Sequence, residues 1–441
     1  MRDKEIRLEH LLFAAWLILF SWLVTRVKFF TQTGLSKPQL ISFFLLKVMA
    51  GIFYGWIGLY YGGLAKMQDT WSFHIGSIEE YKLLFKDPGE FFTNLFRDPY
   101  ESSGVATFFG SDNSYWNDLK GNLFIKVLSV FNVLSTGNYY INVIFYSFVT
   151  LFGPLAIYRV MSDVFPSKKL PVLLATFLIP SFIYWTSGLH KEGLIFTGIS
   201  LIIYAIYFGT KEKKWGGKRI ASLVTGLLLL LALRNFIFVI IIGAIIAWLL
   251  ANRKPKYGLA IFAGTYLIFI VLFFTLRYIE PRLDFPQAVV DKQKAFLQIS
   301  PGSSTIPTTE LESNAGSFLK NIPQAVNLSI LRPFPSDVNH ILSLAAAIEI
   351  DMLLFLFIIF LLWRKRESRS SNLVLFCVFF SLSLLLAIGF TANNLGAIVR
   401  YRSVVIPLLI IPIAAQIDWR RIEMAFDNNI KNKNNIINSS D

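Results

Sequence analysis

Residues 221–250 read ASLVTGLLLLLALRNFIFVIIIGAIIAWLL: two apolar runs, Ala221–Leu233 and Phe236–Leu250, meet at one Arg234-Asn235 pair. Neither run has the polar positions of an amphipathic stripe, and a helix apolar all round is covered by protein or by lipid. The same texture recurs at Leu11–Leu23, Leu259–Leu276, Ile348–Leu362 and Leu373–Ala387. Hydrophobic residues make up 54% of the 441 and charged residues 16%, whereas a soluble domain carries about 25% charged residues. A mean hydropathy of +0.55 points the same way. Lipid is the solvent that can cover so many such runs, and the fold class read from them is all-α, a polytopic transmembrane helix bundle.

A span needs about 20 apolar residues. On that measure helices fall near 8–25, 40–62, 139–160, 170–186, 189–208, 219–233, 236–251, 258–277, 341–363, 371–390 and 400–416, about 11 in all with a range of roughly 10 to 13. The chain then divides into N-terminal helices (1–63), a first polar segment (64–138), a transmembrane core (139–277), a second polar loop (278–340), C-terminal helices (341–416) and a tail (417–441). The tail is rich in Asn and Lys, has little to bury, and is expected to be disordered. Asn122–Leu134 carries Lys126 and Asn132 and is broken by Ser135-Thr136-Gly137-Asn138, so it reads as a lateral or re-entrant helix. Thr25-Arg26-Val27-Lys28 follows the first apolar run in place of an Ala-x-Ala-like cleavage site, which predicts a retained helix.

The net charge of +14 is gathered in short clusters between apolar runs, as orientation signals are, and this argues against nucleic acid as the partner. Lys211, Lys213, Lys214, Lys218 and Arg219 form one cluster, and Arg253, Lys254 and Lys256 a second. Arg364, Lys365, Arg366 and Arg369 form a third, and Arg420-Arg421 opens the tail. The positive-inside rule puts them, and Lys168-Lys169, in the cytoplasm together with the C-terminus. Both polar segments and the turns 188–192, 234–235 and 393–402 then face the outside; the side of Met1 stays open. Cys377, the single cysteine, lies in an apolar run and has no partner for a disulfide within the chain.

Five cations fall on the side where orientation signals predict few: Lys191, Arg234, Arg332, Arg400 and Arg402. The runs flanking Arg234 hold about 15 residues each, or roughly 23 Å, against a hydrocarbon core of about 30 Å. Arg234 should therefore lie below the headgroups. A charge there costs about 2.5–3.5 kcal/mol and turns to a cavity or a partner. Several cations on one outer cavity suit phosphate or pyrophosphate, which an arginine fork grips bidentately and helix N-termini assist. The alternative for each is snorkelling to headgroups, and Lys191 and Glu192 can simply neutralise one another.

Carboxylates that could serve such a site begin with Asp69, which closely follows an apolar helix in Asp69-Thr70-Trp71-Ser72-Phe73-His74. It is either a general base toward a hydroxyl or a helix N-cap. His74 accompanies it as a catalytic candidate, and Glu79 and Glu80 sit on an amphipathic helix beyond. The second loop ends Leu331-Arg332-Pro333-Phe334-Pro335-Ser336-Asp337-Val338-Asn339-His340, ahead of a helix with Glu349 and Asp351, at least one of which should face the interior. No Walker loop, His-Glu-x-x-His, paired Cys-x-x-Cys or nucleophile elbow is present. The four histidines have no metal-ligand spacing, so no metal ligand and no cofactor is named, and a divalent metal is left open. No strong internal repeat is visible, which disfavours transporters built from duplicated halves.

A long outer segment opening with an acidic residue after an early helix resembles the C-type glycosyltransferases (GT-C fold), polytopic enzymes that take sugars from polyprenyl-phosphate carriers. Pro180–Glu192, Leu331–Pro335 and Asn394–Arg402 are similar to segments common in membrane proteins of bacterial envelope-polysaccharide loci. The resemblance implies a multi-pass protein of the bacterial inner membrane that transfers sugar from a polyprenyl-phosphate-linked donor on the outer face. It implies that Asp69 takes the place of the family's acidic base, with Thr70 where a second acid is usual. Lys191, Glu192, Arg234, Arg332, His340, Arg400 and Arg402 would bind substrate. The alternatives are an O-antigen-type polymerase or ligase, using His340 and the arginines on a pyrophosphate-linked glycan, and a non-enzymatic transporter or flippase component. Partners are the carrier-linked sugar or glycan, membrane lipid and other envelope-glycan assembly proteins, with no nucleic acid.

Overall fold

The computed structural model describes residues 2–60, 69–100, 108, 114–300, 302–365 and 371–424. Arg366 and Arg369 of the third basic cluster and the tail beyond Met424 lie outside the described residues, as do 61–68 at the start of the first polar segment. Among the described residues helices are the only extended elements, and strand-like pairing is limited to the isolated bridges Thr305–Asn394 and Arg364–Ile417.

Among the described residues seven helices are long and apolar enough to cross a bilayer: Lys37–Tyr60, Tyr139–Val164, Lys191–Lys211, Asn235–Arg253, Pro255–Tyr278, Ile341–Trp363 and Asn372–Thr391. Two bent pairs raise the number to nine if each is one span: Pro166–Phe177 with Pro180–Ser187, at 54°, and Leu395–Ser403 with Ile406–Gln416, at 61°. The expected count of about 11 included two more, the first helix Arg2–Val24, whose apolar part is Leu8–Val24, and Gly217–Leu233, whose 17 residues reach only about 26 Å. Both bends have a proline in the first turn of the second limb, which suits a helix start, and before Pro180 it also pushes the preceding residue out of helical geometry. Ile179 is accordingly extended, at φ −74°, ψ 117°.

The helices differ in what covers them. Lys191–Lys211 and Tyr139–Val164 are mostly buried, whereas Pro255–Tyr278 and Ile341–Trp363 expose most of their apolar surface, as lipid-facing helices would. The buried pair forms the core around which the bundle is built.

The half-helix Pro180–Ser187 is held at both ends by charge. At its start the buried Glu349 accepts from the Ser181 backbone N–H (2.6 Å) and hydroxyl (2.5 Å). At its end the buried Lys47 donates to the Thr186 carbonyl (3.0 Å) and the Ser187 hydroxyl (3.3 Å). An anion at the N-terminus and a cation at the C-terminus satisfy the free backbone groups of a broken helix and match its dipole. Asp351, by contrast, is exposed. Gly51 and Gly55, one turn apart on the neighbouring helix, let the backbones approach closely. A Cβ at Gly51 would lie 2.5 Å from the Ser187 carbonyl oxygen, and one at Gly55 would enter the Tyr139 ring.

The first polar segment folds onto the bundle. Its helices Asp69–Lys86 and Tyr115–Ser135 pack together and are tied to Tyr139–Val164 by a buried chain, Asn142 to Asn132 (2.6 Å) and Asn132 to Ser77 (3.0 Å). The Tyr115–Ser135 helix spans the region read as lateral, and Lys126 there pairs with Glu80. Lys168, Arg364, Ile417 and Arg420 gather at one end of the molecule, where Lys168 donates to the Ile417 carbonyl (3.2 Å) and Arg364 pairs with Ile417. Asp69, His190, Arg234 and Arg400 gather elsewhere, at the opposite termini of the helices that join them.

Candidate functional site

The site is built where four distant segments converge. The turn Gly188–His190, between Pro180–Ser187 and Lys191–Lys211, is clamped through its backbone. The Thr70 hydroxyl donates to the Leu189 carbonyl (3.2 Å) and shares a hydrogen bond with the Tyr139 hydroxyl (2.8 Å). Tyr146 donates from its hydroxyl to the His190 carbonyl, and Trp71 donates to the Gly55 carbonyl (2.9 Å). The residues after Asp69 are thus bolted to the turn. Asp69 itself opens the Asp69–Lys86 helix, and its side chain points away from its own backbone toward Arg400.

Glu192 is the hub. Its carboxylate is 1% exposed; one oxygen meets His190 Nδ1, and the other takes Arg234 Nη2 at 3.0 Å and faces Arg400 Nε at 3.7 Å. Arg400 Nη1 donates to Asp69 Oδ2 at 2.6 Å and lies 3.3 Å from His190 Nε2, itself 3.6 Å from Asp69 Oδ2. Because an ionised carboxylate only accepts, Nδ1 of His190 is assigned a proton toward Glu192, and Nε2 stands between Arg400 and Asp69, donating to Asp69 when the ring carries its second proton. Both arginines lie on the Tyr401 ring, Arg234 at 4.3 Å and Arg400 at 5.0 Å from its centre. Arg400 Nη2 also donates to the Tyr401 hydroxyl (3.2 Å). Lys191, next in chain to His190, rests 5.1 Å over the Phe73 ring and forms no ion pair with Glu192.

Asp69 is the open member, with its side chain more than half exposed. The hydrogen bond with His190, and then the positive charge of Arg400, outweigh its partial burial and hold its carboxyl well below the usual range. A small cavity beside the cluster is lined by Glu192, Arg234 and Tyr401 together with Ile195, Ile237 and Leu384.

Of the residues singled out in the sequence, Asp69, Lys191, Glu192, Arg234 and Arg400 meet here. Four others do not. His74 is buried against Trp71 and Tyr139, with ring centres 5.7 and 5.3 Å away, and burial pushes its pKa down to about 4. It is a neutral core histidine. Arg332 closes its own turn on Asp337 (2.7 Å). His340 caps the Ile341–Trp363 helix, accepting from the Ser343 N–H (3.1 Å). Arg402 is buried on the other face of Leu395–Ser403, donating to the Arg332 carbonyl. Successive helical residues turn by about 100°, so positions two apart point in nearly opposite directions, and Arg400 and Arg402 cannot share one pocket.

His190 and Tyr401 belong to the site although neither was singled out. A histidine between a turn glycine and Lys191-Glu192 was the available signal for the first; the second had none beyond its place next to Arg400. Among the described residues no group of three or more His, Cys, Asp or Glu side chains is arranged to hold a metal ion. Compared with family models, with curated proteins and with solved structures, the chain matches none.

Proposed function

We propose that this chain is a glycosyltransferase of bacterial cell-envelope glycan assembly, working in the inner membrane on a sugar carried by polyprenyl phosphate. The observation that carries the reading is the 2.6 Å contact between Asp69 and Arg400 at the mouth of a cluster that also holds Arg234 and the His190–Glu192 pair. A carboxylate and a fixed pair of guanidinium groups side by side are what transfer from a phosphate ester requires. The gathering of Lys168, Arg364 and Arg420 at the far end favours the outer face for the cluster.

In the reaction the acceptor hydroxyl oxygen bonds to the anomeric carbon while the bond from that carbon to the phosphate oxygen breaks. The electron pair stays on the phosphate, held by Arg234 and Arg400, and the hydroxyl proton passes to Asp69. Binding and catalysis are then linked. A phosphate that engages Arg400 neutralises the charge that depresses the Asp69 pKa, and Asp69 becomes a stronger base when the donor is seated. A second reading, a polymerase or ligase acting on a pyrophosphate-linked oligosaccharide, is favoured by the excess of cations over carboxylates and differs in the number of phosphates bound.

The test is transfer of labelled sugar from membrane-extracted polyprenyl-linked donors by the reconstituted full chain. Asp69→Asn is expected to lower the rate by at least about 100-fold with an unchanged melting temperature. Wild-type rates in the variant would remove Asp69 from the mechanism.

A further inference from the structure

Two lysines that no sequence pattern picked out reach the cluster from the two polar segments. Lys120 stands on the Tyr115–Ser135 helix, which packs against Gly217–Leu233, the helix that Arg234 ends. Its ammonium donates to Asn117 (2.8 Å) and has no carboxylate within ion-pair distance among the described residues. Lys292 stands on Phe285–Leu297, 5.8 Å from the centre of the Phe296 ring. Phe296 meets the Tyr401 ring at 6.4 Å, and on that ring lies Arg234. The neighbouring Asp291 is turned to Gln287 (2.7 Å) and leaves Lys292 unpaired among the described residues.

The charges interact. Burial first, then the positive charges of Lys292, Arg234 and Lys191, push the pKa of Lys120 down to about 8; Lys292 is lowered likewise, by burial and by Arg234. By these contacts and charge interactions Lys120 and Lys292 stand near Lys191, Arg234 and Arg400, and among the described residues Asp69 and Glu192 are the only carboxylates that ion-pair with any of the five. Arg234 and Arg400 share those two acids, and among the described residues the three lysines ion-pair with none. A sugar esterified to a monophosphate carrier brings one negative charge, whereas a diphosphate diester brings two and leaves with three.

We propose that Lys120, Lys191 and Lys292 form a second phosphate-binding step beside Arg234 and Arg400, so that the donor is an isoprenoid diphosphate rather than a monophosphate. This rests on the phosphate-binding reading above and, of the two donors named there, takes that of the second reading.

Farnesyl phosphate and farnesyl diphosphate serve as probes, titrated calorimetrically into the full chain in lipid nanodiscs. Wild type is expected to prefer the diphosphate by about 10-fold or more, as added charge-assisted contacts require. The double variant Lys120→Gln/Lys292→Gln is expected to lose that preference, weakening diphosphate binding about 10-fold and monophosphate binding less than about 3-fold. Arg400→Gln should weaken both. Equal wild-type affinity for the two probes, or a preference that survives the double substitution, overturns the diphosphate assignment and leaves the anion site standing. Failure of wild type to bind either probe overturns both.

Discussion

At one end of the bundle Lys213, Lys214, Lys218, Lys254, Arg364 and Arg420 stand exposed, and the ion pairs there, Lys211–Asp163 and Arg219–Glu212, involve partly exposed side chains. At the other end Arg234 and Arg400 lie against Tyr401 and share a carboxylate withdrawn from water. The same residue types do different physical work. A cation in water is easy to place and contributes little by pairing, about 0–1 kcal/mol. A cation out of water must be held by several partners at once, and losing one strands the rest. The burial of its neighbours, rather than its place in the chain, separates an orientation signal from a binding residue.

The widest gap between the ends should appear in activity. Arg400→Gln is expected to reduce sugar transfer by roughly 100- to 1,000-fold, the scale of losing one preorganised donor to a developing anion. Arg402→Met, two residues on but turned to the Arg332 carbonyl, should keep the activity of whatever fraction folds. Comparable losses per folded molecule would break the distinction between the two faces of that helix. Next comes stability. Glu192→Gln strands His190 and Arg234, and a loss of about 3 kcal/mol is expected, read as a lowered unfolding midpoint in detergent. No loss would mean that the cluster is held by its rings alone.

A smaller effect follows from pH. His74 is kept neutral in the fold, with a pKa near 4, whereas an unfolded histidine titrates near 6.5. Above about 6.5 it is neutral in both states and its contribution is complete. As the pH falls through the window from 6.5 to 4 the unfolded chain takes up the proton first, and up to about 3 kcal/mol is lost. Melting curves between pH 7 and 4 should show this decline, and His74→Phe should flatten it. The least effect belongs to the basic end: Lys213→Gln/Lys214→Gln should shift stability by less than about 0.5 kcal/mol and transfer rates by less than a factor of two. A larger fall in transfer would undo the comparison.

Much of the helical layout was legible because apolar runs declare themselves without reference to neighbours. Arg234 was legible for a related reason, a cation between two short runs having nowhere dry to go unpaired. Less could be read where geometry depends on a break. Residues 393–402 looked like a turn, and only once Leu395–Ser403 is seen as a helix do Arg400 and Arg402 part company. His340 precedes Ser343 by the spacing of a capping pair, a pattern easily taken for a polar loop end. Lys47 hides in an apolar run, and its purpose shows only when the broken helix ending at Ser187 is placed over it. Lys120 and Lys292 are ordinary in sequence; their meeting is a product of how the polar segments fold back.

Charge alone does not decide where His190 stands. Gly51 meets the chain just before that turn, and an added methyl would fall 2.5 Å from the Ser187 oxygen. Gly51→Ala would alter no proton, no donor and scarcely the hydropathy, yet it would wedge apart two helices whose spacing fixes the imidazole between Glu192 and Asp69. The clustered side chains are aligned in part by a missing carbon atom, a constraint that no inventory of functional groups records.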